Sequence, residues 1–385
     1  MKKIILILLP AIFLTAIALQ TKAQRNCGTM ESLQMEIAKD STIKTKMKNL
    51  NMYVDNWVKN NPNSKSKSVI TIPVVVHIVY ANAAQNLSDA RVLEQIAATN
   101  TDFAGLNPHS MQAFSSSLKV SNGIQICLAQ RDPNGNPTTG IERVLTNHGD
   151  FNALNKDERH ANTGGMDAWD VTKYYNIWVC DLGVGYCGYA QFPYAAQGGG
   201  INDTYGCSIS YKYFGITGAT APFNLGGTLT HEMGHSFNLI HIWGDDSGQL
   251  SAYSCFSGTC CNGTDNCNDT PNQSVATSGA PTGVLTDACT TTSPGIMYTN
   301  FMDYSNDICY SNFTPDQVAR TQALFVVGGP LYPLTYSDGC TNPIPCGTTL
   351  FSPNTTGTFQ DRCVIHLVPS FSTPINGPFH AIIVP

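Results

Sequence analysis

The sequence predicts an α/β (α+β) fold, and three observations carry that expectation. Continuous β-branched runs such as "ITIPVVVHIVY" (Ile70 to Tyr80) alternate with amphipathic stretches. A helix bearing closely spaced histidines follows only after several such strands. Beyond it, a stretch rich in Gly, Asn, Thr and Asp carries a crowd of cysteines from Cys255 to Cys309. In an exported protein that texture reads as irregular structure braced by disulfides.

The elements can be justified in order. "MKKIILILLPAIFLTAIALQTKAQ" has the form of a secretory signal over 1–23, with Lys2 and Lys3 leading an apolar stretch and Thr21-Lys22-Ala23 as the cleavage site. Pro10 breaks the run, and no other segment approaches the roughly 20 apolar residues of a membrane span. A mature, exported, soluble and monomeric chain beginning near Gln24 is therefore expected. Residues 24–67 are Lys-rich, with helical spacing at Leu33, Ile37, Met47, Leu50 and Trp57, and "NNPNSKSKS" (Asn60 to Ser68) reads as a linker. Ile70 to Tyr80 is a buried strand. "LSDARVLEQIAATNTDFAGLN" (Leu87 to Asn107) is an amphipathic helix capped by Ser88 or Asp89. "GIQICLAQRDPNGNPTTGIERVLT" holds two strands around a turn, and "YYNIWVCDLG" and "GCSISYKYFG" one strand each. Thr228 to Leu239 is the histidine helix. Residues 336–385 have no assigned role.

The net charge is only -6, and 12% of residues are charged, which argues against nucleic-acid binding through phosphate contacts. Basic residues are unevenly spread: 18 of the 21 Lys and Arg lie at or before Lys173.

In "THEMGHSFNLIHIW" (Thr230 to Trp243), His231 and His235 sit four apart, so both rings reach one ion from one helix face. Glu232 is offset and can meet a metal-bound water without being a ligand. Zinc with three protein ligands keeps one position open and lowers the pKa of its water to about 7. With a glutamate to take the proton, that is the equipment for hydrolysing an amide. The third ligand, His241, requires the chain to leave the helix first, and Asn238 suits a left-handed turn there. Hydrogen-bonded core histidines without a metal are the other reading of the same residues.

The string "HEMGHSFNLIH" resembles the long zinc motif HExxHxxGxxH of metzincin metalloproteases, with Asn238 where glycine is usual. "NDTPNQ", "NFMDY" and "FTPDQ" downstream, and "IPVVVHIVY", "GYAQFP" and "HIWGD", are similar to the pappalysin family, in particular its bacterial cytophagalysin-like branch. The likeness runs from Cys27 to Arg320. It implies a metzincin-like zincin domain over 68–335: a twisted mixed sheet with an active-site helix, then an irregular disulfide-braced subdomain. It also implies that Met302 forms the methionine turn below the metal. Tyr304 would stand near the zinc, as a weak ligand or an oxyanion donor; a buried tyrosine without chemistry is the alternative. Asp303 would tether local backbone.

"RNCGT" (Arg25 to Thr29) is similar to the cysteine-switch segments of metzincin zymogens. Cys27 is then the zymogen switch, because a thiolate can take the open position on zinc; a disulfide is the competing reading. The carboxylates and amides at Asp245, Asp246, Asp265, Asn266 and Asp269 suggest calcium, which the family binds near its "DTP" string, here at Asp265, Asp269 and Thr270. Family members often prefer a basic residue after the scissile bond. Asp307 is the expected acid for it, and "SKSKS" a natural self-processing site. His77 reads as a satisfied core histidine. Together these features predict a secreted zinc endopeptidase acting on proteins or peptides. A non-catalytic zinc-binding or adhesion module on the same fold is the alternative, and Glu232 speaks against it.

Overall fold

The structure is a computed structural model that describes residues 25–62, 69–194, 203–245, 261 and 263–340. Beyond these it gives four short backbone strands between 349 and 383. The expected leader, the Lys65 and Lys67 linker, Asp246, Cys255 and Cys260 lie outside the described residues.

Two helices, α1 (Thr29–Lys39) and α2 (Thr42–Asn60), precede the sheet. Leu50 and Val54 of α2 are fully buried in the main core. Strand β1 (Ile70–Tyr80) follows as the centre of the sheet, buried on both faces, as its unbroken apolar run requires. Helix α3 (Asp89–Phe103) is capped by Ser88, whose hydroxyl accepts from the Arg91 N–H. It ends four residues before Asn107, where Gly105 turns the chain at φ +69°.

The remaining strands are β2 (Ile124–Leu128), β3 (Ile141–Leu145), β4 (Tyr175–Cys180), β5 (Gly188–Ala190) and β6 (Gly206–Ser210). The order is β2-β1-β4-β6-β5, with β3 also on β1. The two strands flanking the Pro/Asn/Gly turn do not pair with each other. β2 runs parallel to Ile70–Val74 and β3 parallel to Val76–Tyr80, end to end along one edge of β1. Pro73 costs the sheet no donor on the other side, because the β4 ladder begins one residue later, at Val74. All pairings are parallel except β5, which lies antiparallel to β6 at the edge. A mixed sheet results, as expected.

Helix α4 (Gly227–Ser236) packs on β5 and β6, and α5 (Pro315–Gln322) packs on α2. Helix α5 opens with a full capping box between Thr314 and Gln317. The histidine helix stops at Ser236, three residues short of the expected Leu239. Among the described cysteines, Cys261–Cys289 braces the irregular part, and Cys127–Cys340 ties β2 to the chain 213 residues later. Cys267 and Cys309 are free and buried. His77 is a core histidine, 2.9 Å from Asn176 Oδ1 and 3.0 Å from Glu142 Oε2. In the tail, β7 (Thr349–Leu350) pairs with β9 (His366–Leu367), and β8 (Gly357–Asp361) with β10 (Phe379–Ile383). No described helix is long and apolar enough to cross a membrane.

Candidate active site

Every residue of α4 is buried. His231 and His235 turn their rings to one side, with centroids 4.8 Å apart. The helix then closes in two bonds: Asn238 N–H donates to His235 O at 2.9 Å, and Leu239 N–H to Gly234 O at 3.0 Å. This is a Schellman closure with asparagine at the left-handed position, φ +64°. It swings His241 back, so that its ring lies 4.5 Å from that of His235 and 5.3 Å from that of His231.

All three rings are fixed through Nδ1. His231 Nδ1 lies 2.6 Å from Phe301 O, His235 Nδ1 2.8 Å from Leu239 O, and His241 Nδ1 2.8 Å from the Asp245 carboxylate. A proton on each Nδ1 leaves each Nε2 a lone pair, the arrangement metal-binding histidines use. His231 Nε2 is buried with no hydrogen-bond partner, and His235 Nε2 stands 3.2 Å from His241 Nε2. Burial pushes the pKa of His231 and His235 well below the usual range, so both stay neutral. One ligand atom from each of Cys27, His231, His235 and His241 lies within 4.8 Å of the others, and no other such group of three or more occurs among the described residues. Three imidazoles and a thiol, with one orphaned nitrogen, fit a zinc ion in chemistry and in number.

Glu232 is also fully buried, and its carboxylate stands beside the cluster. Oε2 accepts from Thr29 Oγ1 at 3.0 Å and from Cys27 Sγ at 3.2 Å. Burial raises its pKa to about 7, with the two hydrogen bonds pulling the other way. Strand β5 passes directly over it: a Cβ on Gly188 would stand 2.9 Å from Glu232 Cγ, so only glycine fits. Tyr304 packs its ring against His241 and Trp243, 4.9 Å from each, and its hydroxyl meets the Cys27 backbone. Met302 is fully buried beneath α4, where a Cβ on Gly234 would collide with its sulfur. Asp303 accepts from the Thr277 and Tyr304 N–H groups at 2.8 and 2.7 Å and so ties that loop.

The segment leading to α1 lies across this site. Cys27 bridges Gly188 of β5 in parallel sense, and Gly28 N–H donates to Gly188 O at 2.9 Å. Arg25 is buried and ion-paired with Asp307, and donates to Thr228 Oγ1 at 2.9 Å. Its guanidinium lies over Phe223 and Tyr310, 4.5 and 4.8 Å from the ring centres. The Asp307 carboxylate also accepts from the Leu225 N–H at 2.7 Å. Asp307 is thus filled by a basic side chain of the same protein.

Asp265, Asp269 and Thr270 share a loop apart from this cluster. Asp265 accepts from the Cys267 N–H and from Thr270 Oγ1, and Asp269 from the Asp316 N–H at 2.8 Å. Burial pushes Asp265 up to about 7. Asp245, grouped with these oxygens on sequence grounds, instead orients His241. Its position four residues after a ligand outside any helix gave no sign of that role. Thr29 on Glu232 was equally hidden, since a threonine beside a cysteine carries no signal of its own.

The pattern defining the family Peptidase_M43, described as pregnancy-associated plasma protein-A, matches residues 160–326. An extracellular metalloprotease of Colletotrichum graminicola is 33% identical over 265 residues, covering 67% of this chain and 77% of its own. One from Arthroderma gypseum is 28% identical over 320 residues, covering 83% and 89%. Among solved structures, a promirolysin mutant of Tannerella forsythia superposes with a TM-score of 0.69 at 39% identity, covering 81% of this chain and 97% of its own. Mature mirolysin of the same organism, in complex with a cleaved peptide, gives 0.65 at 43% identity, covering 72% and 100%. The chain therefore belongs to the pappalysin family of metallopeptidases, Peptidase_M43.

Proposed function

We propose that this chain is exported as a latent precursor and matures into a zinc endopeptidase that cuts before lysine or arginine. The observation that carries the reading is the pair of contacts made by one short segment: Arg25 on Asp307, and Cys27 within the histidine cluster. A basic side chain of the chain's own N-terminal part thereby occupies the pocket proposed for the basic residue of a substrate.

His231, His235 and His241 would hold the zinc, which supplies a Lewis acid and an acidified water when bound. Glu232 then acts at its carboxylate as general base, taking the proton of the attacking water and handing it to the leaving amine. Its place supports this: the carboxylate is 3.2 Å from the Cys27 sulfur that stands among the three rings, within reach of a water in that space. The Tyr304 hydroxyl, beside the cluster, serves as a donor to the developing oxyanion. Asp245 keeps the His241 ring in its donor tautomer, and Met302 supports α4 from below.

Latency follows from what covers these groups. Cys27 fills the space by the cluster, and Thr29 and Cys27 together occupy the Glu232 oxygen that a water would use. The promirolysin match covers 81% of this chain and mature mirolysin 72%. That difference is about 35 residues, close to the span of α1 and α2, and it supports a removable segment ending at the Lys65 and Lys67 linker. Its likeness to extracellular metalloproteases supports export, and so does the signal-like leader. For calcium, the buried Asp265 and the half-buried Asp269 beside Thr270 are the proposed ligands; added calcium should raise the melting temperature, and less so in Asp265→Asn.

The test is cleavage-site mapping of a peptide mixture by processed protein. Cuts placed before Lys and Arg, redistributed in Asp307→Asn, are expected. Cuts indifferent to the following residue would remove the specificity reading while leaving the peptidase.

A further inference from the structure

On the side of the cluster away from Asp307, the covering segment makes a second charged contact. Glu36 of α1 is ion-paired with Lys156 and accepts from the Tyr194 hydroxyl at 2.7 Å and from Gln191 Nε2 at 3.4 Å. Both charged side chains are largely buried, 11% exposed for Lys156 and 17% for Glu36. Gln191 and Tyr194 brace each other at 2.6 Å, and Thr204 Oγ1 donates to Gln191 Oε1 at 3.1 Å. The partners of Glu36 come from two stretches of the chain, Lys156 from one and Gln191 with Tyr194 from the other, and each offers a donor to the same carboxylate.

Their place along the site is fixed by β5. Cys27 pairs with Gly188 beside Glu232, and Gln191 follows one residue after the end of β5. Arg25 bonds Thr228 at the start of α4, whereas Glu36 bonds Gln191 and Tyr194, which flank Phe192, and the Phe192 ring packs on His235 near the helix's end. If the pocket at Asp307 takes the residue after the scissile bond, residues before the bond run toward Gln191, Tyr194 and Lys156. Glu36 lies seven residues beyond Thr29 in α1, about 10 Å at 1.5 Å per residue. An extended peptide covers that distance in about three residues.

We infer that Lys156, Gln191 and Tyr194 form an acidic-residue subsite for peptide substrates, three to four positions before the scissile bond. The inference rests on the proposed peptidase reading, in which α1 leaves on maturation and Glu36 vacates its place. Burial and the neighbouring Arg159 push the Lys156 pKa down to about 7, with Glu158 and Asp203 acting in the opposite sense. An ammonium so placed gains from a carboxylate partner. Arg159 does not compete for that partner, since its own donors go to Ser208 Oγ at 3.0 Å and Thr204 O at 2.7 Å.

The experiment compares kcat/KM of processed enzyme on paired peptides with arginine after the bond and Glu or Gln three or four positions before it. Glu is expected to be preferred about fivefold at low salt, mostly in KM, with the gap shrinking as ionic strength rises. In Lys156→Met the gap should close while the Gln peptide is cut as by the unaltered enzyme. If that variant does not accumulate, Gln191→Leu with Tyr194→Phe carries the same comparison. Equal turnover of both peptides by unaltered enzyme overturns the subsite and leaves the peptidase standing. A Lys156→Met enzyme slowed equally on both also overturns it, by making Lys156 a structural support. If neither peptide is cut, the peptidase reading falls and the subsite with it.

Discussion

Replacing Arg25 with methionine isolates what holds the precursor shut on the Asp307 side. The side chain keeps most of its apolar length but loses the ion pair with Asp307, the bond to Thr228 and the charge over Phe223 and Tyr310. Both members of the pair are 1% exposed. Removing one partner of such a buried pair costs about 3–5 kcal/mol, because the other charge is left uncompensated. The cost falls on the closed state alone, since an uncovered Asp307 can be hydrated. At tenfold per 1.4 kcal/mol, the hold of the segment on the site weakens by about a hundredfold to a few thousandfold. Helix α2 should keep the precursor folded, through Leu50, Val54 and the Arg320–Asp55 contact at 2.6 Å. The assay is hydrolysis of a quenched fluorescent peptide by unprocessed precursor, with its intactness followed by mass. Arg25→Met should leak activity at least tens of times above Arg25→Lys and the unaltered chain, and be processed faster. If it stays as silent and matures no sooner, the Arg25–Asp307 contact is not part of the latch.

Three further outcomes follow from other parts of the structure. Asn238 holds φ +64°, which a β-branched residue adopts only at a cost of about 1–2 kcal/mol; Asn238→Val should lower zinc content per chain because His241 is misplaced, whereas Asn238→Gly should keep it. Gly234→Ala drives a Cβ into the buried Met302 sulfur and should lower stability by about 1–3 kcal/mol in denaturant titrations. Asp102 is buried, bonded to Thr230 Oγ1 and Asn107 Nδ2 at 2.7 Å, and burial raises its pKa to about 7. Its folded pKa therefore exceeds its unfolded value of about 3.9. The stability it contributes is full below pH about 4 and lost as pH rises through about 7. The melting temperature of Asp102→Asn, measured against the unaltered chain from pH 4 to 8, should lack that decline.

The parts of the site that were legible in the sequence are those set by local geometry. Two histidines four apart announce a shared helix face, and a lone asparagine before a third histidine announces where the helix must stop. Strand β1 was equally plain, because eleven residues with one proline and almost no charge can only be an interior strand. Partner choice was not legible. The segments at Ile124 and Ile141 both read as strands around a turn, yet β1 is long enough to take them in succession, and nothing local says so. The same limit hid Glu36 and Lys156, which are 120 positions apart and look like two ordinary surface charges until the fold buries them together. Asp307 was reachable only through resemblance, and its pairing with Arg25 only through the fold.

The claim on which the rest depends is that His231, His235 and His241 hold a zinc ion and that Glu232 does the proton work beside it. The direct measurement is casein and arginine-peptide hydrolysis by processed protein, with and without a zinc chelator, alongside Glu232→Ala with its metal content determined. Cleavage abolished by the chelator, restored by zinc, and lost by several orders of magnitude in Glu232→Ala with one zinc still bound is the predicted result. Cleavage that survives in Glu232→Ala at the level of the unaltered enzyme, or that ignores the chelator, would contradict the account.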